Sequence, residues 1–225
     1  MNSMYHQLMQ LPLFQGVSTE KITALVEKLP FHFLKFRSGE QIFAAGDPCT
    51  HIKFIVSGQV RLEQAFSHLR INFCQTLSSP HVLAAEYLFG KETVYPFTAV
   101  ASGPCGILQL RKSDYVKMVN TDKVFLFNIL NYLSSGSQRC VSSLQAIKEG
   151  TVTERLAMMV DLLTLPGAID VEFQYKQKDI CVLLGTQRTT FIASLDKLSK
   201  MDIIDYDTNV LHILDIRRLT DLINH

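Results

Sequence analysis

Arg188 stands in the run Thr186-Gln187-Arg188-Thr189-Thr190, directly after Gly185, and two lysines, Lys176 and Lys178, lie a short helix-length upstream. A guanidinium can donate two hydrogen bonds to guanine O6 and N7, a contact worth about 1–3 kcal/mol against a wrong base. Ammonium, hydroxyl and amide groups suit phosphate oxygens, which position a duplex without reading it. Lys176, Lys178, Gln187, Arg188, Thr189 and Thr190 are therefore the candidate DNA-contacting set. The plainer alternative is a helical hairpin with a chance glycine.

The surrounding pattern decides between these. Ile180, Leu183 and Leu184 give a first short helix its apolar face. Gly185 falls where the chain must turn, and glycine reaches positive φ freely. Thr186 is placed to cap a second helix, buried through Phe191 or Ile192, Leu195 and Leu198. That leaves residues 187–190 exposed on its first turn, the part of a helix-turn-helix that enters the major groove. Residues 203–206 and 210–214 alternate around Asp207-Thr208-Asn209, which predicts a β-hairpin wing. Upstream, Thr151 or Thr153 caps a helix reaching Leu165, with Leu156, Met159, Val160 and Leu163 inward. Pro166-Gly167 ends it, and Ile169, Val171 and Phe173 alternate as a strand.

The N-terminal part has another rhythm. Residues 18–29 form an amphipathic helix capped by Ser18 or Thr19, with Ile22, Leu25, Val26 and Leu29 on one face and Pro30 as its stop. From Phe31 to Leu110 the period is two, in short runs separated by Ser38-Gly39, Gly46-Asp47 and Ser57-Gly58. Such spacing predicts a jelly-roll β-barrel. After a short helix near residues 113–119, a long one spans residues 121–147. Leu126, Leu130, Leu133, Ser137, Cys140, Leu144 and Ile147 step alternately by four and three, a heptad seam. Phe125, Ile129 and Tyr132 form a second row beside it. One face can pack on the barrel and the other, through Leu126, Leu130, Leu133, Cys140 and Leu144, on a second copy. Intrachain core is the competing reading of both rows. Glu149-Gly150-Thr151 breaks the helix. The expected organisation is α+β: a sensing barrel over residues 1–120, a dimerisation helix over 121–149 and a winged helix-turn-helix over 150–225.

Bulk properties narrow the class. The chain has 225 residues, 47% of them hydrophobic, enough for two modest domains with real cores. No run of about 18 apolar residues suggests a membrane span, and residues 1–13 do not read as a signal peptide. Five scattered cysteines, Cys49, Cys74, Cys105, Cys140 and Cys181, make neither a disulfide framework nor a CxxC metal site, so a reducing cytoplasm is expected. Residues 1–150 carry 14 Lys/Arg and 10 Asp/Glu; residues 151–225 carry 8 and 11. The candidate reader is thus the more acidic half, and affinity has to come from a short basic stretch, doubled by dimerisation. An enzyme is disfavoured. No His-x-His, GxGxxG, P-loop or GxSxG pattern is present. A ligand-binding module with little DNA affinity is the remaining class, and Arg188, Lys176 and Lys178 argue against it.

Taken in order, the chain resembles the CRP/FNR family of bacterial transcription regulators. RSGEQIFAAGDPCTHIKFIVSGQVRLE from Arg37 looks like that family's barrel signature, and VLAAEYLFGKETVYPFTAVA from Val82 like its effector-pocket stretch. The resemblance implies a homodimer bound to a palindromic operator, an effector in the barrel, and RNA polymerase as a further partner. It places the effector pocket at Glu86, Phe97 and Thr98. Glu86 matches the carboxylate that holds a ribose in nucleotide-binding members. Their phosphate-clamping Arg-Ser pair is replaced by Pro96-Phe97-Thr98, which loses a charge-assisted contact and predicts an effector other than cyclic AMP. An iron–sulfur cluster would want four thiolates near the N-terminus, and no cysteine precedes Cys49. Haem or redox sensing stays open through His32, His51, His68 or His81, and the sequence names no cofactor. In the reader, Arg188 matches the family's base-reading arginine. Thr189 stands where Glu is common and Ala193 where a further arginine is, so a different operator is expected.

Overall fold

The structure, a computed structural model, describes residues 2–147 and 150–223, and the side chains of 6–141 and 150–223. The chain forms two compact units: Met1–Leu62 with Leu77–Gly136, and Glu63–Thr76 with Ser137–His225.

The first unit opens with α1 (Asn2–Gln10), a 3-10 turn at Pro12–Phe14 and α2 (Thr19–Lys28). Ser18 caps α2, its Oγ accepting the Lys21 N–H. The strands are β1 (His32–Phe36), β2 (Gln41–Phe43), β3 (His51–Ser57), β4 (Gln59–Phe66), β5 (Ile71–Ser78), β6 (His81–Leu83), β7 (Thr98–Ala101) and β8 (Cys105–Arg111). One sheet runs β1-β8-β3-β6; the other includes β5-β4-β7-β2. This is the barrel that the two-residue period implied. At the β3–β4 turn Gly58 has φ +80, and a Cβ there would overlap the Pro104 carbonyl oxygen, so only glycine fits. The core is aromatic. Phe14 meets Phe54 and Phe125 edge-on at 5.5 and 5.8 Å, and Phe43 stacks on Tyr95 at 3.8 Å.

Two helices complete this unit, α3 (Lys112–Thr121) and the front of α4 (Lys123–Ile147). The two rows of α4 part company. Phe125 and Ile129 are buried, whereas Leu126, Phe127 and Leu130 are exposed. The row beside the heptad seam is the one spent on the core.

The second unit takes the outer ends of β4 and β5 together with α5 (Val152–Leu163), β9 (Ala168–Gln174), α6 (Gln177–Leu183), α7 (Arg188–Lys200), β10 (Ile204–Tyr206), β11 (Val210–Ile213) and α8 (Ile216–Asp221). Thr151 caps α5 in a reciprocal capping box with Glu154. Sheet order is β10-β11-β9-β5. Ile71 and Phe73 of β5 share a core with Val160, Phe173, Phe191 and Leu195, and the Phe73 and Phe173 rings lie 4.7 Å apart.

The structure departs from the sequence expectations in places. α1, β6 and α8 are additional elements. Leu183 is exposed, and Ile180 and Leu184 carry the buried face of α6. Thr186 is not the cap of α7. That position is Gln187, without a side-chain cap bond. The physical reason lies in α6. Gly185 at φ +60 donates to Val182 O, and Thr186 N donates to Cys181 O, the paired bonds of a Schellman ending. Thr186 therefore still belongs to the end of the preceding helix.

Candidate functional site

The helix-turn-helix positions its polar residues by burying everything else. Phe191, Leu195 and Leu198 fix one side of α7, and Gln187, Arg188, Thr189 and Thr190 stand exposed on its first turn. Lys176, the N-cap of α6, and Lys178 are exposed too. A cleft of about 390 Å³ gathers Lys178, Cys181, Thr186, Arg188, Thr208 and Asn209 among its lining. Arg188 and Lys178 thus meet on one surface. Lys176, Gln187, Thr189 and Thr190 do not line that cleft.

Thr208 and Asn209 extend the candidate set, and the signal for them was the Asp207-Thr208-Asn209 turn. The Asp207 carboxylate accepts the Asn209 and Val210 N–H groups at 2.7 and 2.9 Å, which holds its pKa below the ordinary value. Tyr175 N donates to Asn209 O at 2.8 Å, tying the turn to the start of α6. The helix-turn itself is braced by Arg155. Its guanidinium donates to Leu184 O at 2.6 Å and to Gly150 O at 2.9 Å. Leu184 O sits at the C-terminal end of α6, where intrahelical partners run out. No periodicity pointed to Arg155.

The expected effector residues are placed differently. Glu86 is exposed on a 3-10 turn, Ala85–Tyr87. Phe97 is buried, its ring 5.9 Å from Phe43. Thr98 is half-buried, and its hydroxyl accepts the Ala45 N–H at 3.1 Å, bracing the β2 turn. In this unit a cavity of about 550 Å³ is lined instead by residues including Cys49, Thr50, His51, Thr93, Arg111 and Lys112. Burial is the main cause lowering the His51 pKa, with the charges of Lys53 and Arg111 adding to it. Burial likewise raises the Cys49 thiol, which keeps it protonated. Among the described residues no cluster of three His, Cys, Asp or Glu side chains could hold a metal ion.

On α4, Leu126, Leu130 and Cys140 are exposed and Leu133 is half-buried. The side chain of Leu144 lies outside the described residues. No described helix is long and apolar enough to cross a membrane.

A family model for the cyclic nucleotide-binding domain matches residues 33–122. Residues 33–122 are a cyclic nucleotide-binding domain. Solved structures extend the likeness over the chain. The catabolite activator protein of Thermus thermophilus is 20% identical, covers 95% of this chain and 98% of its own, and superposes with a TM-score of 0.52. CprK, solved in complex with OCPA, is 18% identical over 90% of this chain and 93% of its own, TM-score 0.51. CLP of Xanthomonas campestris, described as a c-di-GMP-responsive global regulator, is 15% identical over 85% and 98%, TM-score 0.50. These neighbours are CRP/FNR-family regulators, and at such identities they establish the fold. No curated protein matches by sequence. In the stretch Pro96-Phe97-Thr98, where the resemblance places a phosphate-clamping Arg-Ser pair, no arginine is present and Phe97 is buried.

Proposed function

We propose that the chain is a DNA-binding transcription regulator, a homodimer whose cyclic nucleotide-binding domain answers to a small-molecule effector other than cyclic AMP. The observation that carries this reading is the exposed first turn of α7. Arg188 stands there beside Lys178, Thr208 and Asn209 on one cleft, with the apolar side of the helix fully buried. Arg188 reads guanine, Gln187, Thr189 and Thr190 contact bases or phosphates, and Lys176 and Lys178 neutralise backbone charge.

Dimerisation through Leu126, Leu130, Leu133, Cys140 and Leu144 sets two readers about 34 Å apart, one helical turn of a palindromic operator. Exposed Phe127 widens that apolar face. An effector acts only by preferring the arrangement with this spacing. The CRP-like fold supports the same assembly, RNA polymerase as the downstream partner and work in the cytoplasm. The protein binds and signals, and is not an enzyme. Selection from random duplexes, followed by gel shift, tests the assignment. Wild type is expected to enrich a palindrome, and Arg188→Ala to lose it. Equal binding by the variant overturns the reader role.

A further inference from the structure

We propose that the tip of the β4–β5 hairpin, Ser67-His68-Leu69-Arg70, is a second wing of the DNA reader, with Arg70 held against the phosphate backbone of the bound duplex. The inference rests on reading α7 as the base-contacting helix. It adds to that helix a contact made by a segment of the cyclic nucleotide-binding domain.

The hairpin is built into the second unit. β5 is the neighbour of β9 in the sheet order β10-β11-β9-β5-β4. Gln75, near the end of β5, fixes their relative direction. Its amide donates to Leu163 O and accepts the Leu165 N–H, just ahead of β9. β5 therefore ends where β9 begins, and the two run in opposite directions. The hairpin tip lies at the other end, beside the last residues of β9. β11 is antiparallel to β9 as well, with Val210 opposite Gln174. The turn Asp207-Thr208-Asn209 thus stands at that same end of the sheet. With strands about 4.8 Å apart, the two turns are separated by roughly 14 Å. Between them β9 leads into Lys176, the N-cap of α6. Phosphate-binding groups follow one another along this end: Thr208 and Asn209, then Lys176, then Arg70 with Ser67 and His68.

The tip is anchored on both sides and open between. Phe66 packs against the core that contains Phe191 of α7, and Ile71 is buried within it. Leu69 N donates to Phe66 O at 3.0 Å and closes the turn. Residues 67–70 are all exposed. Arg70 has φ +51, in the left-handed region where glycine is at ease and a side chain is not. The chain keeps an arginine at that position, and among the described residues no ion pair involves it.

The charge balance of the reader makes such a contact valuable. Residues 151–225 carry 8 Lys/Arg against 11 Asp/Glu. Attraction to phosphates is the sequence-independent part of DNA affinity and grows with the number of phosphates neutralised. In the wing turn, the Asp207 carboxylate is taken up by the Asn209 and Val210 N–H groups. A cation on the hairpin tip adds to the count without adding base preference.

Fluorescence anisotropy of the full chain over a series of salt concentrations tests this on two duplexes, the palindrome enriched by selection and one of unrelated sequence. Arg70→Gly removes the guanidinium and suits the backbone, so its unfolding temperature should hold or rise. Its affinity should fall on the order of tenfold on both duplexes. The slope of log K against log salt should shrink by about 1 for each chain bound. Arg70→Lys, which keeps a charge, should restore most of that slope. Selection with Arg70→Gly should enrich the wild-type sequence. Ethylation interference should find phosphates whose modification weakens wild type and leaves Arg70→Gly unaffected. Arg217→Ala, which removes an exposed cation from α8, should leave affinity and slope unchanged. Wild-type affinity and slope in Arg70→Gly overturn the second wing, as does an equal loss in Arg217→Ala. Weaker binding together with a lower unfolding temperature assigns Arg70 to the fold and overturns the contact too. If selection enriches nothing, the base-reading assignment fails alone, and the unrelated duplex still decides the hairpin contact. No DNA binding by wild type overturns both.

Discussion

The two units treat positive charge in opposite ways. In the first, Lys53 is buried and His51 half-buried, on a strand facing Arg111. In the second, Lys176, Lys178 and Arg188 are exposed, and the partly buried cations are spent on backbone: Arg155 on Leu184 O and Gly150 O, Arg139 on Thr164 O at 2.7 Å. Exposed charge on a braced helix suits a long polyanion, whose phosphates need reach more than enclosure.

The sharpest way to break this division is through residues 63–76, the outer ends of β4 and β5 with the turn that joins them, which belong to the second unit in space. Phe73 is 1% exposed and packs on Phe173. Phe73→Ala should cost about 3–5 kcal/mol, the usual range for emptying a buried aromatic site. Native-state hydrogen exchange should show the loss in β9 and β11, with β3 and β8 little changed. Loss confined to the barrel strands would mean that the hairpin tip belongs there. Next comes Arg155→Met, which leaves the Leu184 and Gly150 carbonyls without their donor. The expected cost is about 2 kcal/mol, read by urea unfolding. Operator affinity should fall further than that of a surface control such as Lys197→Ala. Unchanged affinity would show that the helix-turn needs no brace.

Much of this was legible beforehand, for identifiable reasons. The barrel strands, α2, α5, the paired helices and the wing follow from local period and turn chemistry, and such signals survive packing. The Schellman ending at Gly185 moved the cap by one residue because capping depends on which carbonyls remain open, and spacing does not report that. The exposed turn at residues 187–190 was legible for the same local reason. Arg155 and Gln75 were not. Gln75 is buried, accepts Leu165 N at 2.8 Å and donates to Leu163 O at 3.4 Å across ninety or so positions. Long-range satisfaction of a backbone group leaves no periodic trace. The effector stretch was found as a sequence, yet Phe97 is core and Glu86 is exposed, because which side a residue faces is set by packing that a motif does not report.

A smaller effect separates two caps. Thr151 and Glu154 bond reciprocally, Thr151 N to Glu154 Oε2 at 2.6 Å and Glu154 N to Thr151 Oγ1 at 3.3 Å. α7 has no such side-chain cap. Thr151→Ala should cost about 1 kcal/mol, whereas Gln187→Ala should leave stability nearly unchanged and act on DNA affinity only. Equal stability losses in chemical unfolding would remove the distinction between a cap built for the fold and one left open for a phosphate.

The smallest expected effect tests the buried charge directly. His51 has its pKa lowered by burial first, then by Lys53, Arg111 and His32; its Nδ1 lies 2.8 Å from the Thr50 hydroxyl. A histidine whose folded pKa lies below its unfolded value, about 6.5, stays neutral in the fold while the unfolded chain takes up a proton. Between those two values the unfolded state binds more protons, so stability falls as pH drops below about 6.5. The lowered carboxylates, Glu20, Asp122 and Asp207, also favour the fold at higher pH, but their loss begins nearer their ordinary value of about 4. His51→Gln should therefore flatten the stability profile between pH 7 and 5 and leave its acid limb below pH 4 in place. A profile unmoved by His51→Gln would mean that burial does not hold the ring neutral in the fold.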